Sequence, residues 1–176
     1  MALDTTSKPM GIKDIRVKRG ATEAAFDAAV TLKLTDQVVS GQLKGSGKIV
    51  AMNSYIEAAQ FEATAGGIPT DALAIMTGMT VPAATGTTPN QKITFTRNAG
   101  ESFPYFELMG RSLGDAGDDV WIYLPKCKLN AALEATFQDG DTFTTTGFKG
   151  MALPDATDRV YDIILNETSD DLEFPA

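Results

Sequence analysis

Histidine is absent from this 176-residue sequence, and cysteine occurs once. Without histidine, Ser-His-Asp and Cys-His nucleophile systems and most zinc sites are excluded together. The single cysteine, Cys127, excludes an internal disulfide and a cysteine-cluster metal site. No run approaches the ~20 apolar residues of a membrane-spanning helix. The N-terminal MALDTTSKPMG lacks the apolar core of a secretion signal. The expected setting is the cytosol, or release by a route other than a standard signal. Excess positive charge is missing too. With a formal net charge of −8, the chain is a poor tight binder of nucleic acid, whose phosphates are held by clustered Lys and Arg.

Several fragments imitate reactive sites and fail on inspection. GQLKGSGKIV resembles a phosphate loop, but Gly41 is one residue too far from Gly47-Lys48, and Ile49 stands where Ser or Thr must meet magnesium. A flexible, lysine-bearing loop is the better reading. Asp115, Asp118, Asp119, Asp139 and Asp141 follow no known order of calcium ligands and read as turn residues. Glu57, Glu62 and Glu134 form a glycosidase pair only if their separation allows it, which a sequence does not give. Trp121 and Tyr123 read as core rather than a sugar platform, and Asn166-Glu167-Thr168 as a chance glycosylation match. No catalytic residue, metal or cofactor is assigned, and the chain is not expected to be an enzyme.

What the sequence has is alternation. From Lys126 to Phe137, Cys127, Leu129, Ala131, Leu133, Ala135 and Phe137 point one way; Lys126, Lys128, Asn130, Ala132, Glu134 and Thr136 point the other. A period of two over this length predicts a long strand with one buried and one wet face. Val120 to Leu124 is apolar on both faces and should be buried on both. Pro125 between them predicts a strand start, a bulge or a sheet switch. Strands this long suit a barrel or extended sheet better than a small sandwich.

Further strands are expected over 12–19, 29–34, 49–64, 92–98, 101–113, 142–149 and 160–166. Residues 36–48, with three glycines, predict a hairpin with a long flexible tip or a loop ordered by a partner. One helix is predicted over Thr70 to Thr77, with Thr70 as N-cap, Asp71 in the first turn and Gly78 closing it. The sum is an all-β or β-rich α+β domain over 11–168. An arm over 1–10 precedes it and a loose acidic tail over 169–176 follows. Charge is uneven as well: residues 1–50 carry net +3 and residues 100–176 net −10, a polarity that can steer head-to-tail association.

The order of these features resembles the major tail (tail tube) proteins of long, non-contractile-tailed bacteriophages. A strand, a glycine-containing loop and a long strand run into AGGIPTDALAIMTGMTV. Later, WIYLPKCKLNAALEATFQDGDTFTTTGFKGMAL is similar to that family's C-terminal hairpin, with a "lipkckl"-like strand, an acidic turn and a G-x-A-L ending. The similarity spans roughly residues 11–168 and lies in order and spacing rather than in any single motif.

The resemblance implies a β-sandwich subunit with one short flanking helix. Six copies would form a ring with a continuous inner β-barrel, and the rings would stack into a tube conducting double-stranded DNA. It places the protein in the virion tail, assembled in the host cytoplasm, with tape-measure and tail-tip or terminator proteins as further partners. Lumen candidates are Gln60, Glu62, Asn130, Ala132, Glu134 and Thr136. Ring-stacking candidates are Gln42, Lys44, Gly45, Ser46, Gly47 and Lys48, facing an acidic edge drawn from Asp115, Asp118, Asp119, Asp139 and Asp141. Lys126 and Lys128 face either DNA or a neighbouring subunit. Two alternatives stay open: a tube protein of a type VI-like secretion system, and a monomeric ligand-binding β-module.

Overall fold

The computed structural model describes residues 8–26, 28–114, 118–131, 134–136, 144–168 and 170–175. In chain order its elements are β1 (Pro9–Arg19), β2 (Thr22–Ala25), β3 (Ala29–Gly45), β4 (Lys48–Gly66), α1 (Thr70–Thr77), β5 (Phe106–Gly114), β6 (Asp119–Leu129), β7 (Glu134–Thr136), β8 (Thr145–Ala152) and β9 (Asp162–Asn166). The fold is β-rich with one short helix, as expected. The strands make one antiparallel sheet in the order β2-β1-β5-β6-β8-β4-β3, with β7 joined to β8 and β9 to β6. The two layers expected of a sandwich are two halves of this sheet, which bends until β1 and β3 lie against each other.

The core forms between the halves. Ile15 and Val17 of β1, Ala59, Phe61, Ala63 and Ala65 of β4, Leu108 of β5 and Phe148 of β8 are buried together. Each set recurs at every second residue, as a strand with one inward face requires. Phe26 stacks on Phe148 with centroids 5.4 Å apart, and Phe61 meets Phe106 edge-on at 6.1 Å. Gly150, on β8, leaves the room that Phe61 fills: a Cβ there would sit 2.4 Å from the Phe61 ring.

Helix α1 covers the residues expected of it, and Ala72 through Thr77 are all buried. Packing therefore holds it, since eight residues are too few for propensity alone. Gly78 closes it in the left-handed conformation, φ 80°, with its N–H bonded to the Ala74 carbonyl at 2.9 Å. The N-terminus differs from expectation. Pro69 occupies the cap, Thr70 is the first helical residue, and no side chain caps the end.

Pro125 marks both a bulge and a change of neighbour. The β5–β6 register shifts between Phe106↔Cys127 and Leu108↔Leu124. Before the proline β6 pairs with β9, and after it with β8. The long strand does not run to Phe137; it stops at Leu129. β6 and β7 share one edge of β8, where Leu129 pairs with Gly150 and Glu134 with Gly147. Five residues thus span the place of three, and an interruption of two leaves the alternation of faces intact.

The strand expected over 92–98 is absent: a lone bridge, Thr85 to Lys92, is the pairing found there among the described residues. Both edges of β5, the strand that follows, are already taken by β1 and β6. Arg97 pins the segment instead, donating to the Thr77 and Glu101 carbonyls and lying 4.2 Å from the Phe103 ring centroid. Among the described residues, no helix is long and apolar enough to cross a membrane.

Candidate functional site

β3 and β4 pair from Ala29↔Ala65 to Gly45↔Lys48, with register shifts between Ala29 and Thr31, Gln37 and Val38, and Leu43 and Lys44. Their near halves lie on the body. Their far halves, Val38 to Glu57, project beyond it as a two-stranded ribbon, exposed on both faces at every position but the half-buried Gly45. At about 3.3 Å per residue the ribbon reaches roughly 30 Å. Ser46 and Gly47 form its turn with φ 52° and 79°. Positive φ at both central residues is what a two-residue hairpin matching strand twist needs. The flexible tip expected over 36–48 is thus a ladder continuing to the turn, because Gly41 and Gly45 are held within paired strand.

The ribbon carries apolar side chains on both faces, between the polar pairs Ser40↔Ser54 and Gly41↔Asn53. Cross-strand partners share a face. Val38↔Ile56 and Gln42↔Met52 lie on one, Val39↔Tyr55 and Leu43↔Ala51 on the other. Leu43 is 64% exposed and Val50 65%, and Val38, Ile49, Met52, Tyr55 and Ile56 are also exposed. Between residues 37 and 56 the charges are Lys44 and Lys48 alone. Uncovered apolar residues clustered in this way are a feature of interaction surfaces. A bare two-stranded ribbon is only marginally stable in water. Gln42, Lys44, Gly45, Ser46, Gly47 and Lys48, the stacking candidates, all sit at its far end.

A second surface crosses the near halves. Lys33, Glu62 and Lys149 are successive partners across β3, β4 and β8, giving a row that alternates in sign. Lys149 and Glu62 pair at 3.8 Å with both half-exposed, so the bond is worth little, about 0–1 kcal/mol. Thr35, Gln60, Met151 and Lys128 make the next row. Glu134, opposite Gly147, joins the same face and lines an open groove with Lys33, Glu62 and Lys149. Of the lumen candidates, Gln60, Glu62 and Glu134 therefore share one polar face. Asn130 is exposed just past β6, its backbone N–H reaching the Lys149 carbonyl at 3.2 Å. Thr136 pairs with Thr145 through its backbone, and Ala132 lies outside the described residues. Lys126 and Lys128 both lie over the Tyr105 ring of their own chain, 5.3 and 5.0 Å from its centroid.

The acidic edge needs correction. Asp119 is fully buried, its carboxylate gripped by Arg111, so it is closed to another subunit. Arg111 and Asp119 come from adjacent strands and face the same way, which brings them together out of water. Asp118 is half-buried. Asp115, Asp139 and Asp141 lie outside the described residues.

Around Arg111 lies an arrangement that sequence reasoning missed. Trp121 is fully buried, with the guanidinium groups of Arg16 and Arg111 at 5.0 and 5.2 Å from its ring centroid. The C-terminal segment docks here instead of hanging loose. Asp171 pairs with Arg111, the Leu172 carbonyl accepts from Arg16, and Phe174 packs against Tyr123. Burial pushes the Asp14 carboxyl up, with neighbouring Arg16 opposing it. Burial and Glu107, which accepts from the Tyr123 hydroxyl at 2.7 Å, push that phenol up. Cys127 is buried and its thiol is raised well above its ordinary range, as expected of a small core hydrophobe.

No protein-family model and no curated protein sequence matches this chain. Among solved structures it is similar to the anti-feeding prophage cap, a tube-terminating cap determined by cryo-electron microscopy. Identity is 13%, the TM-score 0.44, and the match covers 93% of this chain and 91% of that one. A likeness at this level assigns neither family nor function.

Proposed function

We propose that this chain is a structural subunit of a virion tail tube, in which hexameric rings stack head to tail around a lumen that conducts genomic DNA. The ribbon carries the reading. Some twenty residues, Val38 to Glu57, hold a ladder with apolar side chains uncovered on both faces, and a partner must cover them. The sheet edges support it further. The outer edge of β3 has no ladder partner among the described residues, and strand pairing between subunits would close it into a ring. A wet face of alternating sign, Lys33, Glu62 and Lys149, gives passing phosphates no cation cluster to hold. No step of this role requires catalysis, a metal or a cofactor. Tape-measure and tail-tip or terminator proteins are the further partners of such a tube.

Negative-stain electron microscopy of the purified protein across concentration and salt tests the reading. Rings or hollow tubes of uniform width are expected, and deletion of Gln42 to Gly47 should leave soluble subunits that do not polymerise. A particle that stays monomeric under every condition, or normal tubes from the deletion, overturns it.

A further inference from the structure

The sheet has a second covered face, on the side away from Ile15, Val17 and Leu108 of the core. On it Arg16 of β1, Met109 of β5 and Tyr123 of β6 are successive partners, and Asp14, Arg111, Trp121 and Ile164 form the next row. Cross-strand partners share a face. The cover is the chain's own end, residues 170–175, which belong to no strand. Side chains and one carbonyl hold it. Asp171 pairs with Arg111, the Leu172 carbonyl accepts from Arg16, and Phe174 packs on Tyr123 with the Lys18 ammonium 5.3 Å from its ring centroid.

We propose, independently of the tube reading, that this face is a peptide-binding site, filled in the isolated subunit by the chain's own terminus. Its ligand class is an acidic segment of a partner protein that carries a carboxylate and, three residues later, a phenyl ring. The terminus itself displays that chemistry. Arg111 is 2% exposed while Asp171 is 74% exposed, so the carboxylate meets a buried guanidinium from the solvent side. It can leave without disturbing the Arg111–Asp119 pair beneath. Arg16 binds main chain, and the buried Phe174 ring supplies the apolar anchor. Charge matches as well: residues 167–176 hold four acids and no base, against Arg16, Lys18 and Arg111. The buried Trp121 indole N–H meets no acceptor among the described residues, so the terminus leaves one donor unused. A ligand that brings an acceptor to it gains a hydrogen bond that the terminus lacks.

So few contacts make the terminus a segment that opens locally, without unfolding the sheet. Asp171 follows Asn166, the last residue of β9, by five positions. At full extension that tether reaches about 18 Å. A released terminus therefore stays beside its own site, at an effective concentration on the order of millimolar. A partner's segment must outcompete this tethered rival. The terminus of a second copy reaches the site only where two subunits bring these faces within the same short span.

The test uses a chain lacking residues 170–176 and, as probe, an acetylated peptide with the sequence of those residues. Trp121 is the chain's one tryptophan, so its emission reports the site directly. The shortened chain, its fold verified by circular dichroism, should show red-shifted emission that the peptide reverses in a saturable titration. Peptides carrying Phe174→Ala or Asp171→Asn should each bind at least about tenfold more weakly. The intact chain should also bind the parent peptide at least about tenfold more weakly, because its own terminus competes. Equal affinity in the two chains overturns occupation by the terminus, and no response up to millimolar peptide overturns the site. A complex between shortened and intact chains gives the site to a second copy and overturns a foreign partner. If the shortened chain does not fold, hydrogen exchange in the intact chain decides. The amides of Leu172 and Phe174 should exchange at least about a hundredfold faster than those of Phe61 and Phe148, and a common rate overturns a terminus that opens on its own.

Discussion

The near and far halves of the β3–β4 hairpin have the same ladder and different fates. From Ala29 to Asp36 and from Ala59 to Gly66, side chains alternate between a core side and a wet side. From Val38 to Glu57 both sides carry apolar residues and both are in water. Backbone pairing is therefore not what distinguishes a stable strand from a waiting one. The near half is held by Phe61, Ala63 and Phe148, while the far half has only its own cross-strand pairs, each worth about 0.2–1 kcal/mol. The sequence is tuned to an environment that one copy of the chain does not supply.

The largest expected effects fall in the body. Asp119→Ala should cost about 3–5 kcal/mol, because it removes a buried carboxylate from a buried arginine. Phe61→Ala, emptying the space between Phe106 and Gly150, should cost a similar 3–5 kcal/mol. Denaturant unfolding of the subunit measures both. In the ribbon, Leu43→Ala should change subunit stability by less than about 0.5 kcal/mol, as for other exposed sites, while strongly reducing assembly. A subunit destabilised as much by Leu43→Ala as by Phe61→Ala breaks the distinction between the halves.

Gly150→Ala sharpens the comparison from the opposite direction. The added methyl would lie 2.4 Å from the Phe61 ring and 2.5 Å from the Lys128 carbonyl, so overpacking should cost about 1–3 kcal/mol. Gly41→Ala, in the ribbon, meets nothing within 4 Å. Its thermal midpoint should stay within a few degrees of the parent's, where that of Gly150→Ala falls further.

How far the sequence announced all this depended on how local each determinant was. The helix 70–77 and the role of Pro125 were legible because a capping glycine and a missing N–H act on their own neighbourhood. The shared face of Gln60, Glu62 and Glu134 was legible from alternation, and it survived the break after Leu129 because the interruption has even length. The Arg111–Asp119 pair was not, since it depends on which strands become neighbours. The docking of Phe174 was hidden for the same reason: its partners, Met109, Trp121 and Tyr123, are remote in sequence. Residues 92–98 misled because alternation describes a strand's faces and says nothing about a free edge to pair with.

The smallest expected effect concerns the root of the ribbon. Tyr161 donates to Asp36 at 3.3 Å, where the covered half gives way to the uncovered one. The loop that carries Tyr161 is tied by Asp155, whose carboxylate accepts from the Thr157 hydroxyl and N–H and from the Arg159 N–H and side chain. The Thr157 hydroxyl bond, with the other donors behind it, lowers the Asp155 pKa from 3.8 to about 2. A lowered carboxylate pKa means that the folded loop favours the charged form. Its contribution is complete above the ordinary value and is lost as pH falls through about 2. The Asp155 carboxyl carbon should therefore titrate near pH 2 by NMR, with the Thr157 amide signal moving alongside it. The core methyl signals of Leu108 and Ala63 should stay fixed through that step. A titration of Asp155 near 3.8 would mean that the loop does not hold its anchor, and the ribbon root would then rest on β3–β4 pairing alone.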